Sequence, residues 1–178
     1  MDDGSPIRGR GKRTDQAQFA KVKHILESRN VNTVNRERRL EVSADPKATA
    51  ARFYEILNDW SPDYLDEICA PDLRGHAGAG ADLDQLKNAI SSFFEAFPDL
   101  QIEVRHLVCE GDTVSAWTSY SGSHQEEFAG VPGSGRSVKF AAWDLIRVKD
   151  GKIAEITQYC DLFTLLNQIG ALPTSTPA

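Results

Sequence analysis

The spacing of hydrophobic residues predicts three helices in the part of the chain that begins at Asp45. In three segments, hydrophobic side chains recur every three or four residues, which places them on one face of a helix. Asp45 precedes Pro46, and this pair is typical of a helix start because aspartate caps free amides and proline fits the first turn. Pro98 ends the last segment. The three faces are Ala50, Phe53, Tyr54 and Leu57; Tyr64, Leu65 and Ile68; and Leu83, Leu86, Ile90, Phe93, Phe94 and Phe97.

After Pro98 the hydrophobic period changes to two, which predicts β-strands. Gly111-Asp112 and Asp150-Gly151 are hairpin signals that join neighbouring strands, and a short helix over 162–169 is expected to stop at Gly170. Three helices followed by four antiparallel strands predict an α+β fold with the helices packed on one face of the sheet. The four strands are expected over 102–108, 114–124, 138–148 and 153–161.

Length and charge indicate one folded domain with a basic extension. The chain has 178 residues, 40% of them hydrophobic, which suits a single core. Residues 1–44 contain 10 Lys+Arg and 6 Asp+Glu, so residues 45–178 contain the remaining 10 and 20, and the net charges are +4 and -10. We expect 1–44 to be an extension that is disordered or holds one helix over 14–29. The domain is expected at 45–173 and a tail at 174–178.

Several classes of function are excluded at this point. The acidic domain argues against nucleic-acid binding, and no apolar run approaches the roughly 20 residues that span a bilayer. Because the chain starts without a signal-peptide pattern, we expect a cytoplasmic protein with no membrane partner. Its three cysteines, Cys69, Cys109 and Cys160, are widely spaced and suggest neither disulfides nor a zinc site. No nucleotide-binding or nucleophile motif occurs, so we expect no cofactor and no metal.

Asp144 lies in register with the apolar positions of the third strand, which predicts a carboxylate on the buried face of the sheet. Burying an unpaired carboxylate costs several kcal/mol or more. Two interpretations are open. Asp144 is either a satisfied buried group, with a nearby histidine or tyrosine as partner, or a carboxylate that lines a wet pocket.

Histidines and one further aspartate are the other candidates for acid–base chemistry. Tyr120 and His124 share the inward parity of the second strand, and a histidine at its end would exchange protons near neutral pH. His106 has the register of a buried core histidine. His76 lies in the glycine-rich stretch 73–80, predicted as a flexible connection between two helices that covers a pocket mouth. Asp161 ends the last strand, where it is expected to cap a helix by accepting from the amide of Thr164.

Five fragments, in order, resemble the SnoaL-like polyketide cyclases of the nuclear transport factor 2-like superfamily. The resemblance covers 53–170, about two thirds of the chain. The fragments are Phe53-Tyr54-x-x-Leu57-Asn58, Phe94-x-x-Phe97-Pro98-Asp99-Leu100, His124-x-x-x-Phe128-x-Gly130-Val131-Pro132-x-x-Gly135-Arg136, Arg147-x-x-x-Gly151-Lys152-Ile153-x-Glu155, and Asp161-x-x-x-Leu165-Leu166-x-Gln168-x-Gly170. The family implies a cone-shaped cystatin-like α+β barrel, in which a curved antiparallel sheet wraps around three helices and an apolar pocket.

The resemblance also implies a function. Its members are ester or polyketide cyclases that close a ring by an intramolecular aldol reaction without a cofactor, so an isomerase or lyase acting on an apolar, carbonyl-bearing small molecule is expected. In the family, an aspartate near the end of the last strand is the general acid/base, and Asp161 occupies that position. We therefore expect Asp161, Asp144 and His124 to form the catalytic set. The expected substrate-binding residues are Phe53, His76, Tyr120, Phe128, Phe140 and Tyr159.

Two other functions stay open. A pocket carboxylate that activates water would make the protein a hydrolase or hydratase. The same cone also serves as a non-catalytic module that binds a hydrophobic ligand or dimerises through the outer face of its sheet, where Trp117 and Trp143 lie. A homodimer or higher homo-oligomer is the expected assembly. The chain has Asp144 where the family often has a histidine, so two carboxylates would share the pocket and raise one pKa.

Overall fold

A computed structural model describes residues 45–172, and these form four α-helices and five β-strands. Helix α1 (Pro46–Asn58) starts where expected, since the amide of Lys47 donates to Asp45 Oδ1 at 3.0 Å. A short 3₁₀ turn (Pro62–Tyr64) leads into α2 (Leu65–Ile68), and α3 (Leu83–Ala96) and α4 (Leu162–Ile169) follow. The extension at 1–44, its expected helix over 14–29, and the tail at 174–178 lie outside the described residues.

The strands form one curved sheet in the order β1-β5-β4-β3-β2, and the predicted α+β class is confirmed. Strands β2 to β5 form an antiparallel meander, as predicted. The hairpin at Asp150-Gly151 has both residues at positive φ, 51° and 76°, which is the backbone that a two-residue turn of this type needs. The five strands are β1 (Cys69–Ala77), β2 (Gln101–Glu110), β3 (Thr113–Ser123), β4 (Ser137–Lys149) and β5 (Lys152–Cys160).

The prediction that residues 73–80 form a flexible connection was wrong, as was the count of four strands. Residues 69–77 form β1, which pairs with β5 and runs parallel to it. Pro71 is exposed at an inward position, and Gly75 fills another inward position without a side chain, so the period of two is not visible in the sequence. The alternation is present nonetheless, because Leu73 and Gly75 are buried while Arg74 and His76 are exposed.

Gly75 allows β1 to lie against the segment that follows it. A Cβ at this position would overlap the carbonyl oxygen of Gly80, a backbone atom that cannot move aside as a flexible side chain can. We expect Gly75→Ala to lower the free energy of unfolding by about 3 kcal/mol, measured by urea denaturation. Gly130→Ala is the control, because φ there is 78° but the space is empty, and it should cost only about 1 kcal/mol. Equal losses in both variants would show that crowding at Gly75 is unimportant.

A β-bulge between Val104 and His106 reverses the parity of the second half of β2. The expectation of a buried His106 was therefore wrong. The side chain is exposed and stacks on Trp117, with ring centroids 5.6 Å apart. Leu107 takes the inward position and Val108 is 65% exposed.

The core lies between the inner face of the sheet and the helices. Helix α1 crosses that face and contacts β2, β3, β4 and β5, and α4 packs against β4. Residues of β3 and β4 alternate between buried and exposed along nearly their whole length, as their sequences predicted. Among the described residues, no helix combines the length and the apolar character required to cross a bilayer.

Candidate active site

A small apolar cavity lies between α1, α3 and the inner face of the sheet. Its volume is about 30 Å³, enough for about one water molecule. Among the residues that the structure describes, no charged side chain lines it, and the lining side chains with an N–H, O–H or S–H are Tyr120, Gln158 and Cys160. The remaining lining residues are Phe53, Leu57, Leu86, Ala89, Ile90, Phe93, Phe94, Leu100 and Ile102.

Asp144 lies on the inner face next to this cavity wall and has no exposed surface. It is directly opposite Gln158 in the pairing of β4 with β5. The hydroxyl of Tyr54 donates to Asp144 Oδ2 at 2.7 Å, a short contact of the kind a charged acceptor makes. Asp144 Oδ1 is buried and has no hydrogen-bond partner among the described residues. The carboxylate therefore has one oxygen held in place and one available.

Burial raises the pKa of Asp144 from 3.8 to about 6, although Tyr54 and Gln158 lower it in part. The Gln158 amide is close enough to lower the pKa of Asp144, but its geometry is not that of a hydrogen bond, so Oδ1 is left without a partner. A carboxyl group with a pKa near the ambient pH can both accept and return a proton. The sequence left open whether Asp144 is a satisfied core group with a tyrosine or histidine partner or a carboxylate that lines a wet pocket. Asp144 has the tyrosine partner and does not line the cavity, but Oδ1 has no partner among the described residues, so the group is only half satisfied.

The two tyrosines beside Asp144 keep their protons. Burial, followed by the charge of Asp144, raises the pKa of both Tyr54 and Tyr120 far above the ordinary value of 10. Burial also raises the pKa of the Cys160 thiol to about 12. Near neutral pH these three groups are therefore hydrogen-bond donors, and Asp144 is the base among them.

Tyr54, Gln158 and Cys160 were not among the predicted site residues, although the sequence carries a signal for each. Tyr54 lies on the apolar face of α1, and a tyrosine in the middle of such a face needs a partner for its hydroxyl. Gln158 and Cys160 follow the buried Ile156 at steps of two along β5, which points both side chains inward.

His124 is buried, but it lies at a different place in the interior. Its backbone amide bonds to the carbonyl of Arg136, which is eight residues before Asp144, a stretch of at most roughly 25 Å in an extended chain. The amide of Ser134 donates to His124 Nδ1 at 3.3 Å, which leaves the proton of the neutral ring on Nε2, and Nε2 has no partner among the described residues. Burial lowers the pKa of His124, partly offset by a backbone contact with Glu126.

Three other predicted site residues lie outside the cavity. Asp161 is exposed and caps α4, accepting from the amide of Thr164 at 3.0 Å, the donor that the sequence predicted. The hydroxyl and the amide of Thr164 lower the pKa of Asp161. His76 is exposed on the outer face of the sheet opposite Thr157, and Tyr159 is 61% exposed on that face.

Three of the predicted aromatic residues, Phe53, Phe128 and Phe140, lie in the cavity wall or pack against residues that line it. Phe53 lines the cavity, and Phe140 stacks on Tyr120 with ring centroids 5.0 Å apart. Phe128, in the loop between β3 and β4, packs on Phe93 of the cavity wall at 5.0 Å. The structure thus brings together Asp144, Tyr120, Phe53 and Phe140, with Phe128 one ring further out. Within residues 45–172, no three His, Cys, Asp or Glu side chains are placed to share a metal ion.

Comparison with known families identifies the domain. Residues 48–169 match the family model described as SnoaL-like polyketide cyclase. The chain belongs to this family. The resemblance noted in the five sequence fragments is therefore confirmed, and the matched segment includes every described helix and strand except the first two residues of α1.

Solved structures agree with this SnoaL-like assignment. IdmH from Streptomyces antibioticus, described as "a putative polyketide cyclase", is 31% identical, and the match covers 71% of this chain and 99% of that one with a TM-score of 0.64. AclR from Streptomyces galilaeus, "a putative hydroxylase", is 27% identical over 73% of this chain and 98% of that one, with a TM-score of 0.68. A SnoaL-like protein from Jannaschia sp. CCS1 is 25% identical over 75% and 96%, with a TM-score of 0.66. No curated protein gave a significant sequence match.

Proposed function

We propose that this SnoaL-like protein is an acid–base enzyme that closes or isomerises an apolar, carbonyl-bearing small molecule, with Asp144 as the group that moves the proton. One observation carries the proposal. Asp144 is fully buried beside an apolar cavity, Tyr54 holds one of its oxygens, and the other oxygen has no partner among the described residues.

The proposed reaction is an intramolecular aldol addition. A carbon flanked by two carbonyl groups is acidic enough for a carboxylate in a dry site to remove its proton. The carbanion then attacks a second carbonyl carbon of the same molecule, a C–C bond forms, and the new alkoxide takes the proton back from Asp144. Protons and electrons balance, and the product is an isomer of the substrate.

Burial favours Asp144 over Asp161 as the base. Asp144 has the raised pKa that a general base working near neutral pH needs, whereas Asp161 is exposed, has a lowered pKa and already accepts the Thr164 amide. We therefore assign the base to Asp144. The catalytic role that the family resemblance suggested for Asp161 stays a prediction, and it can be tested alongside.

The cavity lining indicates the substrate class. Nine of its twelve residues are purely hydrophobic, and none is charged. An ionised substrate would lose its hydration there without gaining a counter-charge. The part of the substrate that enters is therefore neutral and apolar, as in a polyketide or steroid-like ring, and the walls must move apart to admit it.

The test compares the wild-type protein with Asp144→Asn and Asp161→Asn on a panel of β-dicarbonyl and ketosteroid substrates, with products separated by mass-resolved chromatography. Comparable turnover by wild type and Asp161→Asn is expected, with turnover at least about 100-fold slower by Asp144→Asn. Turnover by Asp144→Asn and loss in Asp161→Asn would reverse the assignment.

We also propose that the protein forms a homodimer through the outer face of its sheet. Four aromatic residues lie side by side across neighbouring strands there, and we call them the aromatic row. They are His106, Trp117, Trp143 and Tyr159. Trp117 is 53% and Trp143 40% exposed. Strand β3 carries no charged residue, and Arg147 is neutralised by Glu155 at 2.6 Å. On a domain of net charge -10, this neutral face is where a second acidic copy meets the least repulsion.

Replacing both tryptophans of the aromatic row with serine is expected to weaken dimerisation at least about 30-fold, measured by sedimentation velocity. Replacing both with phenylalanine is the matched control and should preserve the dimer, because the aromatic area remains. A wild-type protein that stays monomeric throughout the micromolar range would disprove the proposal.

A further inference from the structure

The polar part of the cavity wall is made of neutral donors. Tyr120 and Gln158 both point inward and both line the cavity, and the Gln158 side chain lies close enough to Tyr120 to lower its pKa in part. Gln158 lies opposite Asp144, at the distance of a few ångströms that separates cross-strand neighbours on one face of a sheet. The base, the amide and the hydroxyl therefore converge on one end of the cavity.

We infer that the Gln158 amide and the Tyr120 hydroxyl form an oxyanion hole, which binds the substrate oxygen that becomes negative when Asp144 removes the proton. This inference rests on the proposed function. It adds to that function two catalytic residues, and a requirement that a substrate carbonyl point towards β5.

The need for such donors follows from the charge balance of the reaction. Removing a proton from carbon places negative charge on the carbonyl oxygen, and no Lys or Arg lines the cavity to balance it. Aimed hydrogen-bond donors in a water-free site are the alternative, and losing one typically lowers a rate 10²- to 10³-fold.

The chemistry of both residues suits this role. Gln158 has two amide N–H groups, so it can act on Asp144 with one and on a ligand with the other. Tyr120 retains its hydroxyl proton because burial and the charge of Asp144 oppose its ionisation. Stacking on Phe140 at 5.0 Å holds the Tyr120 ring, so the donor is oriented before a substrate binds.

The steps are then complete. Asp144 Oδ1 takes the proton from carbon, and the electron pair moves onto the carbonyl oxygen between Gln158 and Tyr120. As the carbon attacks the second carbonyl, the pair returns to form the C–C bond, and the first oxygen becomes a neutral carbonyl again. Asp144 delivers its proton to the new alkoxide.

The experiment uses 4-nitrophenolate as a probe, because its charged oxygen on a flat apolar ring imitates the enolate and its absorbance reports the charged form. Binding is measured on Asp144→Asn, which imitates the protonated Asp144 of the intermediate, and on the double variant that also carries Gln158→Leu. Leucine keeps the volume and removes the donor. We expect the double variant to bind about 10- to 100-fold more weakly, and Tyr120→Phe in the same background to act likewise.

Cys109→Ala in the same background is the control, because this exposed cysteine lies outside the cavity and both donors stay in place; binding within about threefold of the Asp144→Asn value is expected. Near-ultraviolet circular dichroism checks the packing of each variant. Equal affinity with and without Gln158, or binding of 4-nitroanisole as tight as that of the phenolate, would overturn the inference, as would failure of Asp144→Asn to bind the probe. None of these readouts depends on turnover. Loss of the oxyanion hole can therefore be distinguished from a wrong assignment of the base.

Discussion

Asp144→Asn is expected to lower kcat about 10²- to 10⁴-fold, the usual contribution of a positioned general base. Asparagine has nearly the same shape and can still accept the Tyr54 hydroxyl, so the cavity wall keeps its form. What is lost is the group that takes the proton. KM should change little, because asparagine keeps the size and shape of the aspartate side chain and leaves the residues that line the cavity unaltered. Steady-state kinetics on the best substrate of the panel measures both constants.

The pH dependence identifies the group responsible. Asp144 acts as a base only when ionised, so the wild-type kcat should rise with pH and level off above the pKa of about 6. The residual rate of Asp144→Asn should not rise with pH in this range. The rate of Asp161→Asn, which is altered at an exposed helix cap, should rise as that of the wild type does. If kcat of Asp144→Asn rose with pH as the wild-type kcat does, the titrating group would not be Asp144, and the proposal would be disproved.

Asp144→Asn is also expected to make the folded protein more stable, by about 2–3 kcal/mol at pH 8. The pKa of Asp144 is about 6 in the folded protein and about 3.9 in the unfolded chain, so the folded state binds the proton more tightly. The stability associated with this group is therefore complete below about pH 4 and is lost as pH rises to about 6. Asparagine stays neutral throughout and avoids the cost of a buried charge.

Urea denaturation of both proteins across this pH range tests the sign. The difference in unfolding free energy should be small near pH 4, grow through the window from about 4 to about 6, and then remain constant. The other carboxylates contribute equally to the unfolding free energy of both proteins, so their contribution cancels in the difference. A wild-type protein that is more stable than Asp144→Asn at pH 8 would show that Asp144 is a stabilising structural group. A loss of activity together with a gain in stability is the pattern expected of a catalytic residue whose buried charge destabilises the folded protein.

The strands show where hydrophobic periodicity predicts the inward-facing residues correctly and where it does not. The alternation in β3 and β4 correctly placed Tyr120 and Asp144 on the inner face, because side chains two apart on a strand share a face. The same reasoning failed for His106, since one extra residue in a bulge reverses the parity after it. It also failed for β1, where a glycine in an inward position carries no side chain to reveal the pattern.

The candidate site shows that burial and position in the sequence do not by themselves predict which side chains lie together. Burial of His124 and Asp144 follows from local parity, yet the two lie at different places along the sheet, because Asp144 pairs with Ala116 while His124 bonds to Arg136. Asp161 has the sequence position of the family's acid/base, but the adjacent helix start turns its side chain to the Thr164 amide and to solvent. The relative position of His124 and Asp144 depends on the tertiary structure, which spacing along the chain does not contain, whereas the Asp161 cap is a local feature that the sequence predicted.

The sequence by itself determined the family, the α+β class, the helix starts and the face on which Asp144 lies, because caps, turns and hydrophobic periods are local properties. Only the tertiary structure decided that Tyr54 of α1 holds Asp144 and that Gln158 of β5 lies beside it, and only it showed that one carboxylate oxygen is left free. These contacts join elements far apart in the chain, and the packing of helix against sheet selects the side chains that meet. The pKa of Asp144 arises from that packing, since desolvation depends on every neighbour at once.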